Sequence, residues 1–164
     1  MEKIIIGFII VVAIIFLIKV LKNGKNKLHQ YKYTRKDFFM SRAEHECYDA
    51  LINAVGDKYY IFSQVHLHSI IDHKVVGQNW RRAFGHINQK SVDFVLCDKE
   101  YISPKLVIEL DDQTHKRQDR KDRDKIVEEI LTDVGLPLLR LQNHGDFNSN
   151  DLLEKINIIL NNSE

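Results

Sequence analysis

The sequence lacks an excess of charge of either sign. Of its 164 residues, 24 are Lys or Arg and 23 are Asp or Glu, so net charge alone identifies no charged partner. Cysteine is scarce: Cys47 and Cys97 both lie in apolar patterns, which fits a reducing cytoplasm and a place in the core better than a reactive role. No internal repeat or low-complexity tract appears, which excludes repeat architectures and biased disordered chains.

A long uncharged run opens the chain. Residues 4–18 carry no charge, and the apolar character continues past Lys19 to Leu21. About 18 helical residues span roughly 27 Å, which approaches the hydrocarbon core of about 30 Å if Lys19 snorkels. No small-residue cleavage site follows, as a signal peptide requires, and no polar positions recur at helical spacing, as a buried core helix requires. We predict a transmembrane anchor over residues 3–21.

The segment after the apolar run, residues 22–37, is a basic juxtamembrane linker. The cations around it, with no acid before Asp37, are Lys19, Lys22, Lys25, Lys27, Lys32, Arg35 and Lys36. Only Lys3 and the amino terminus precede the run, and Glu2 partly offsets them. The positive-inside rule predicts a single-pass protein of the inner (cytoplasmic) membrane, with its C-terminal domain in the cytoplasm. The same stretch can also contact anionic lipid or nucleic acid.

The pattern of residues 38–164 predicts one domain of mixed α/β (α+β) class. The expected elements are helix 41–55, strand 59–67, strand 91–97, strand 105–111, helix 119–134, strand 138–141 and helix 151–160. Ser41 and Glu44 match a capping box at the start of helix 41–55. Gly135 stops helix 119–134, and Pro137 follows where a helix cannot continue. The order αβββαβα predicts a mixed sheet with helices packed against it.

Apolar stripes mark the faces of two predicted helices that should be buried. In helix 41–55 the stripe is Tyr48, Leu51, Ile52 and Val55. In helix 119–134 it is Ile126, Val127, Ile130, Leu131 and Val134. Glu44 flanks the first stripe, so it is either the capping residue or an acid that reaches into a site, and one carboxylate can do both.

Residues 59–90 allow several interpretations. His66 and His68 share a strand face, which suggests zinc, but no further ligands stand at the usual spacing. Residues 69–90 interleave aromatic with basic residues: Trp80, Arg81, Arg82, Phe84, His86 and Lys90. Such a mixture can hold a phosphate backbone and stack on bases. The alternative is a partly helical insertion that packs Trp80 and Phe84 on the core.

Two strands carry acids next to apolar residues. In strand 91–97, alternation places Ser91, Asp93, Val95 and Cys97 on one face and Val92, Phe94 and Leu96 on the other. In strand 105–111, Val107, Glu109 and Asp111 share a face. Close carboxylates repel and resist ionising together, and a metal ion is the simplest compensation. Alternatively the acids pair with Arg117, Arg120, Lys121 or Arg123 in the run 116–124, which has the pattern of a solvated helix face.

An ordered set of motifs carries a resemblance over residues 38–141. The motifs are SRAEHECYDAL at 41–51, IFSQVHL at 61–67, VDFVLCD at 92–98, VIELDDQTH at 107–115, RD at 123–124 and GLPLLRL at 135–141. Together they resemble the restriction-endonuclease-like PD-(D/E)XK nuclease superfamily. More closely, they resemble a bacterial domain family of unknown function that is assigned to it and related in pattern to very-short-patch-repair endonucleases.

The resemblance implies a restriction-endonuclease-like core and a site that holds one or two Mg²⁺ (or Mn²⁺) ions. The superfamily's strand carboxylates fall on Asp93 and Glu109, and its helical Glu falls on Glu44. Asp111 stands where the pattern expects a Lys, and it becomes a further metal ligand. Gln64 and His115 are candidates to orient water or phosphate.

Candidate phosphate-binding residues complete the implied site: Lys116, Arg120 and Arg123. A guanidinium pairs bidentately with phosphate, which favours Arg123 as the clamp. The implied function is a membrane-anchored, divalent-metal-dependent nuclease that hydrolyses phosphodiester bonds, in DNA before RNA. The alternatives are a catalytically inactive nuclease-fold module that binds nucleic acid or a protein partner at the membrane, and a purely structural membrane-associated module.

Overall fold

A computed structural model of the chain describes residues 1–24, 31–111, 118–143 and 145–162; for residues 2–3, 22–24 and 118–124 it describes the backbone alone. Over these residues the α-helices are α1 (Glu2–Gly24), α2 (Arg42–Val55), α3 (Trp80–Ile87), α4 (Gln118–Asp133) and α5 (Ser149–Asn161). The strands are β1 (Tyr59–His66), β2 (Ser91–Asp98), β3 (Pro104–Asp111) and β4 (Leu138–Gln142), and a short 3-10 helix, η1, covers Leu67–Ser69. The fold class is mixed α+β.

The chain forms two compact units, Met1–Phe39 and Met40–Glu164. In the first, α1 contains the 18-residue span Ile4–Leu21, which has a mean hydropathy of 3.3 and no buried residue. By length and composition, this helix is long and apolar enough to cross a membrane. It is hydrophobic on every side, unlike the amphipathic helices of the second unit.

The second unit is built on a four-stranded mixed sheet with strand order β1-β2-β3-β4. The first three strands pair antiparallel, and β4 joins β3 in parallel through the crossover helix α4. Gly135 ends that crossover at a φ of 68°, a left-handed conformation that glycine adopts without strain. The amide of Leu136 donates to the carbonyl of Leu131 at 2.9 Å, and β4 begins directly after Pro137. The predicted helix stop is confirmed.

Two apolar clusters cover the two faces of the sheet. The first lies under α2 and α5 and includes Phe94, Leu106 and Ile108 from the strands. The second lies under η1, α3 and α4 and includes Val95, Val107 and Val127. Alternation in β3 therefore works as predicted, because Val107 faces one cluster while Leu106 and Ile108 face the other.

Two predicted core positions are wrong, and a third core residue, Val92, is buried on the other face of the sheet. Ile52 in α2 is 44% exposed, and the buried stripe is instead Cys47, Ala50, Leu51 and Val55, because α2 packs on α5 as well as on the sheet. Val134 is 50% exposed because α4 has already ended at Asp133. Val92 packs in the second cluster with Val95, and not on the face of Phe94 and Leu96.

Candidate functional site

The alternation of side chains between the two faces of the sheet is interrupted at one cross-strand position, where Gln64 of β1 stands opposite Asp93 of β2. Before it, Ser63 pairs with Phe94, which faces the first cluster; after it, Val65 pairs with Val92, and both pack in the second cluster. The Gln64–Asp93 pair itself is missing from the ladder, and Gln64 has a φ of 54°. A non-glycine residue in this left-handed region stores local strain of a kind that concentrates at functional sites. Because the alternation is interrupted here, Val92 packs in the second cluster and not on the face of Phe94 and Leu96.

Asp93 occupies the place where β2 and β3 separate. The paired residues of these two strands begin at Phe94–Ile108 and continue toward the turn that joins β2 to β3. At the next position Asp93 Oδ2 accepts a hydrogen bond from the amide of Leu110 at 2.8 Å. That amide belongs to the peptide that joins Glu109 to Leu110. The carboxylate of Asp93 therefore lies against the backbone that carries Glu109 and Asp111.

Glu44 reaches the same end of the sheet from α2. Its Oε2 accepts from the amide of Ser41 at 2.6 Å, while the Ser41 hydroxyl accepts from the amide of Glu44 at 3.3 Å, so the predicted capping box is confirmed. The other oxygen, Oε1, accepts from Nε2 of Gln64 at 2.5 Å. One carboxylate thus caps the helix and also holds the strained strand residue opposite Asp93.

Glu109 and Asp111 surround a cation that the sequence interpretation missed. Nη1 of Arg140 lies 3.1 Å from Oδ1 of Asp111 and 3.9 Å from Oε2 of Glu109, and Nη2 lies 3.7 Å from Oε2 of Glu128 on α4. Arg140 is therefore the compensating charge that the adjacent carboxylates require. The side chains of the proposed alternatives, Arg117, Arg120, Lys121 and Arg123, lie outside the described residues.

The parallel pairing of β3 with β4 positions Arg140. Glu109 stands opposite Arg140 and Asp111 opposite Gln142, so a guanidinium from β4 projects from the same face as both acids. Leu139 and Leu141, on either side of Arg140, pack in the first cluster on the other face. A signal existed in the sequence: Arg140 is the one charged residue in the strand LLRLQ. Its relation to Glu109 depends on the strand register, which the sequence alone does not provide.

Water reaches these charged groups. Among the described residues no polar or charged residue is fully buried, and the side chains of Glu109, Asp111 and Arg140 retain 16%, 33% and 26% of their exposure. The two cysteines, in contrast, are buried in the two apolar clusters. Burial, with the nearby charge of Asp93, raises the pKa of Cys47 to about 12, and burial raises the pKa of Cys97. Both thiols are free, buried and neutral at physiological pH, as predicted.

The predicted site residues fall into three places. Glu44 and Gln64 are bonded to each other, Asp93 is bonded at Leu110, and Glu109 and Asp111 share Arg140. His115 and Lys116 lie outside the described residues, as do the side chains of Arg120 and Arg123 on α4. Within the described ranges, no group of three or more His, Cys, Asp or Glu side chains is spaced to hold a metal ion.

His66 and His68 do come together, but without further ligands. Their rings stack with centroids 5.4 Å apart, His66 at the end of β1 and His68 in η1. Among the described side chains, no metal-binding group includes them. Trp80, which begins α3, is 48% exposed and so does not pack on the core, whereas Ile87 at the other end of the helix is buried.

Comparison with known proteins reaches the family but no individual relative. Neither the curated proteins nor the solved structures include a match to the chain. Residues 36–159, which contain all four strands, α2 to α4 and most of α5, match DUF2726, described as a protein of unknown function. The match covers well over half of the 164 residues, and the chain belongs to the DUF2726 family.

Proposed function

We propose that this protein is a membrane-anchored, divalent-metal-dependent nuclease that hydrolyses phosphodiester bonds, with DNA as the first substrate to test. One observation carries the proposal: Asp93 Oδ2 is bonded to the amide of Leu110, between Glu109 and Asp111. The carboxylate of Asp93 thereby lies against the β3 backbone between two further acids, at the point where the strands separate. The element order α2-β1-η1-α3-β2-β3-α4-β4, with its antiparallel and then parallel pairing, supports a restriction-endonuclease-like core around them.

The donor set fits a hard divalent cation. Mg²⁺ prefers carboxylate and water oxygens, and Nη1 of Arg140 marks a position where positive charge already contacts both Glu109 and Asp111. An ion held by both acids would take the place of the Arg140 guanidinium beside them. Asp93, Glu109 and Asp111 would hold the ion. Bound Mg²⁺ or Mn²⁺ supplies a lowered pKa for coordinated water and positive charge at the scissile phosphate.

The chain's own residues then have distinct tasks. Glu44 fixes Gln64 by their hydrogen bond, which leaves the Gln64 amide oxygen to accept from water and the second amide N–H to donate to a phosphate oxygen beside Asp93. His115 has the same candidate role. Lys116, Arg120 and Arg123 are the candidate phosphate contacts. Arg140, once released from the acids, becomes a guanidinium able to pair with a phosphate oxygen.

The membrane part of the proposal concerns location and orientation. The helix span Ile4–Leu21 crosses the inner membrane once, and the basic linker keeps the second unit in the cytoplasm. Aromatic residues within and directly after the basic linker support an interfacial position for it, because Tyr31, Tyr33, Phe38 and Phe39 are 67% to 85% exposed. Aromatic side chains accumulate at membrane–water interfaces.

A specific observation also favours a second function, a catalytically inactive nuclease-fold module that binds nucleic acid or a protein partner. Arg140 already neutralises Glu109 and Asp111, and Asp111 stands where the superfamily pattern has Lys. In this alternative the ion pairs are permanent and structural. Metal binding and cleavage distinguish the two functions.

The test is cleavage by the full-length protein in detergent micelles. Supercoiled, linear and single-stranded DNA and single-stranded RNA are each incubated with Mg²⁺, Mn²⁺ or EDTA. The inactive variant is Asp93→Asn/Glu109→Gln, because Asn keeps an oxygen acceptor for the Leu110 amide while both charges are removed. The matched control is Glu100→Gln/Glu154→Gln, which removes two exposed carboxylates away from the site.

We expect cleavage that requires metal, that the site variant abolishes and that the control variant preserves. Cleavage that survives in the site variant would place the reaction elsewhere or in a contaminant. If no substrate is cleaved and isothermal titration shows no Mg²⁺ or Mn²⁺ binding, the inactive module is the better description.

A further inference from the structure

Residues 67–90 leave the sheet beside the proposed site and return to it; we name them the 67–90 excursion. β1 ends at His66 and β2 begins at Ser91, and these two residues pair with each other. The amide of Leu67 donates to the carbonyl of Lys90 at 2.9 Å, which closes the base of the excursion. Gln64 and Asp93 lie two residues further along their strands, so about 7 Å of strand separates them from this base.

The excursion is fixed to the sheet by one apolar side. Leu67, Ile71 and Ile87 are buried in the second cluster, together with Val92 and Val107. That cluster covers the face of β3 from which Glu109 and Asp111 project. The excursion and the β3 carboxylates are consequently on the same face of the sheet, and the base of the excursion is at the same end of β1 and β2 as the Gln64–Asp93 position.

Four aromatic side chains lie close to one another near this base. His66 and His68 stack, the ring of Phe84 meets His68 edge-on at 5.8 Å, and His73 lies 5.0 Å from Phe84. His66 and His68 are exposed, whereas His73 and Phe84 are half-buried. Two exposed imidazoles, stacked on each other, therefore stand beside half-buried Phe84 and His73.

Trp80 extends the same kind of surface at the start of α3. It is 48% exposed, and the guanidinium of Arg81 lies over its ring, 5.0 Å from the ring centroid. Trp80 also sits in the first turn of α3, where Asn79 caps the helix by accepting from the amide of Arg82 at 3.2 Å. Trp80 belongs to neither of the two apolar clusters described above.

The charge of the 67–90 excursion is strongly one-sided. Its Lys and Arg residues are Lys74, Arg81, Arg82 and Lys90, its histidines are His68, His73 and His86, and its only acid is Asp72. The carboxylate of Asp72 accepts from the amide of Lys74 at 2.8 Å. A surface that combines cations with exposed rings is complementary to a polyanion with aromatic bases.

We propose that the 67–90 excursion binds single-stranded nucleic acid and delivers it to the carboxylates of the proposed nuclease site. Bases stack on Trp80 and on the His66–His68 pair, while Arg81 and Arg82 contact phosphates. The proposal rests on the proposed function for the fate of the bound strand, but binding itself needs no metal. In a duplex the base faces are already covered by neighbouring bases, so exposed rings select an unpaired strand. Stacking is common to DNA and RNA, and both are included in the test.

The test measures binding by the full-length protein in micelles of an uncharged detergent, with EDTA present. Trp80 is the only tryptophan in the chain, so its fluorescence reports directly on stacking. The probes are 20-nucleotide single strands of DNA and RNA, the matching duplex, and an abasic strand that has phosphates without bases. Fluorescence anisotropy of labelled probes gives the affinities.

We expect both single strands to quench Trp80 and the abasic strand not to quench it. Loss of one stacking ring, in Trp80→Ala or His68→Ala, should weaken single-strand binding by about 5- to 100-fold, and Trp80→Phe should restore most of it. Arg81→Ala and Arg82→Ala should each reduce the slope of log affinity against log salt by about 0.7. Tyr101→Ala, at the exposed hairpin on the other end of the sheet, is the control and should bind as wild type does.

Equal affinity for duplex and single strand, or binding without quenching of Trp80, would overturn the proposal. So would quenching by vesicles of anionic lipid in place of oligonucleotides, which would make the surface a membrane contact. The two proposals fail separately. Asp93→Asn/Glu109→Gln should still bind and quench in EDTA, so loss of cleavage with retained quenching affects the nuclease alone.

Discussion

Replacing Arg140 by Met should expose how the protein holds three carboxylates in one place. The substitution keeps an unbranched side chain of similar length but removes the charge that contacts Glu109, Asp111 and Glu128. We expect the folded state to lose stability in EDTA, because the acids that Arg140 neutralises are left to repel one another.

The magnitude follows from the exposure of the groups. Breaking a fully buried ion pair costs about 3–5 kcal/mol, whereas exposed pairs contribute about 0–1 kcal/mol. Arg140, Glu109 and Asp111 keep 26%, 16% and 33% of their side-chain exposure, which places this cluster between the two limits. We expect a loss of about 2 kcal/mol. For a folded unit of about 125 residues this lowers the Tm by about 7 °C.

Divalent metal should reverse the loss in the variant. In wild type an incoming ion must displace Arg140 from both acids, but in Arg140→Met the acids are uncompensated. At an Mg²⁺ concentration of about 100 times its Kd, binding adds about 2.7 kcal/mol to the free energy of unfolding. The variant should therefore recover its Tm in Mg²⁺, and its gain should exceed that of wild type.

Differential scanning fluorimetry with a Mg²⁺ titration provides the assay, and Arg42→Met provides the matched control. Arg42 contacts Glu46 at 2.7 Å, closer than Arg140 contacts Asp111, but its side chain is 92% exposed, so its loss should leave the Tm close to that of wild type. An Arg140→Met variant that is as stable as wild type in EDTA would refute the proposed role of the ion cluster. A variant that Mg²⁺ does not stabilise would refute metal binding by Glu109 and Asp111.

Three further predictions concern local structure. Ser41→Ala should cost about 1 kcal/mol by removing the cap of α2, and Glu44→Ala should cost about 2 kcal/mol because the bond to Gln64 is lost as well; urea denaturation at pH 7 measures both. Gln64→Gly should be about 1 kcal/mol more stable than Gln64→Ala. Both variants lose the hydrogen bond to Glu44, but only the Ala variant keeps the conformational cost of a φ of 54°. Equal stabilities of the two variants would argue against backbone strain at this position. The pKa of Asp98 is lowered to about 2, first by the amide of Tyr101 and also by the amide of Ser103 and by Lys105. Its stabilising contribution is present above the ordinary carboxyl pKa of about 4 and is lost as the pH falls toward 2, so Asp98→Asn should flatten the dependence of Tm on pH in that window.

Local signals in the sequence predicted the elements, and contacts set by the fold decided the rest. The capping box of Ser41 and Glu44 lies within four residues, and alternation in β3 places Glu109 and Asp111 on one face whatever surrounds them. Ile52 was assigned to the core because periodicity defines a stripe but not its centre, which the packing of α5 on α2 shifts toward Cys47. Gln64 carries no sign of its left-handed backbone, since glutamine rarely adopts it. Arg140 meets the acids only through the register of two strands that are separated by a whole helix.

The closed base of the 67–90 excursion has an evolutionary consequence. Because His66 and Ser91 are paired, the chain between them can lengthen or shorten while β1 and β2 keep their register. For a flexible segment, doubling the length of such a closed loop costs only about 0.6 kcal/mol in chain entropy. Ring and charge content can then diverge among family members while Asp93 and Gln64 keep their positions. Selectivity for ligands and the chemistry at the carboxylates are thereby separable traits within one domain.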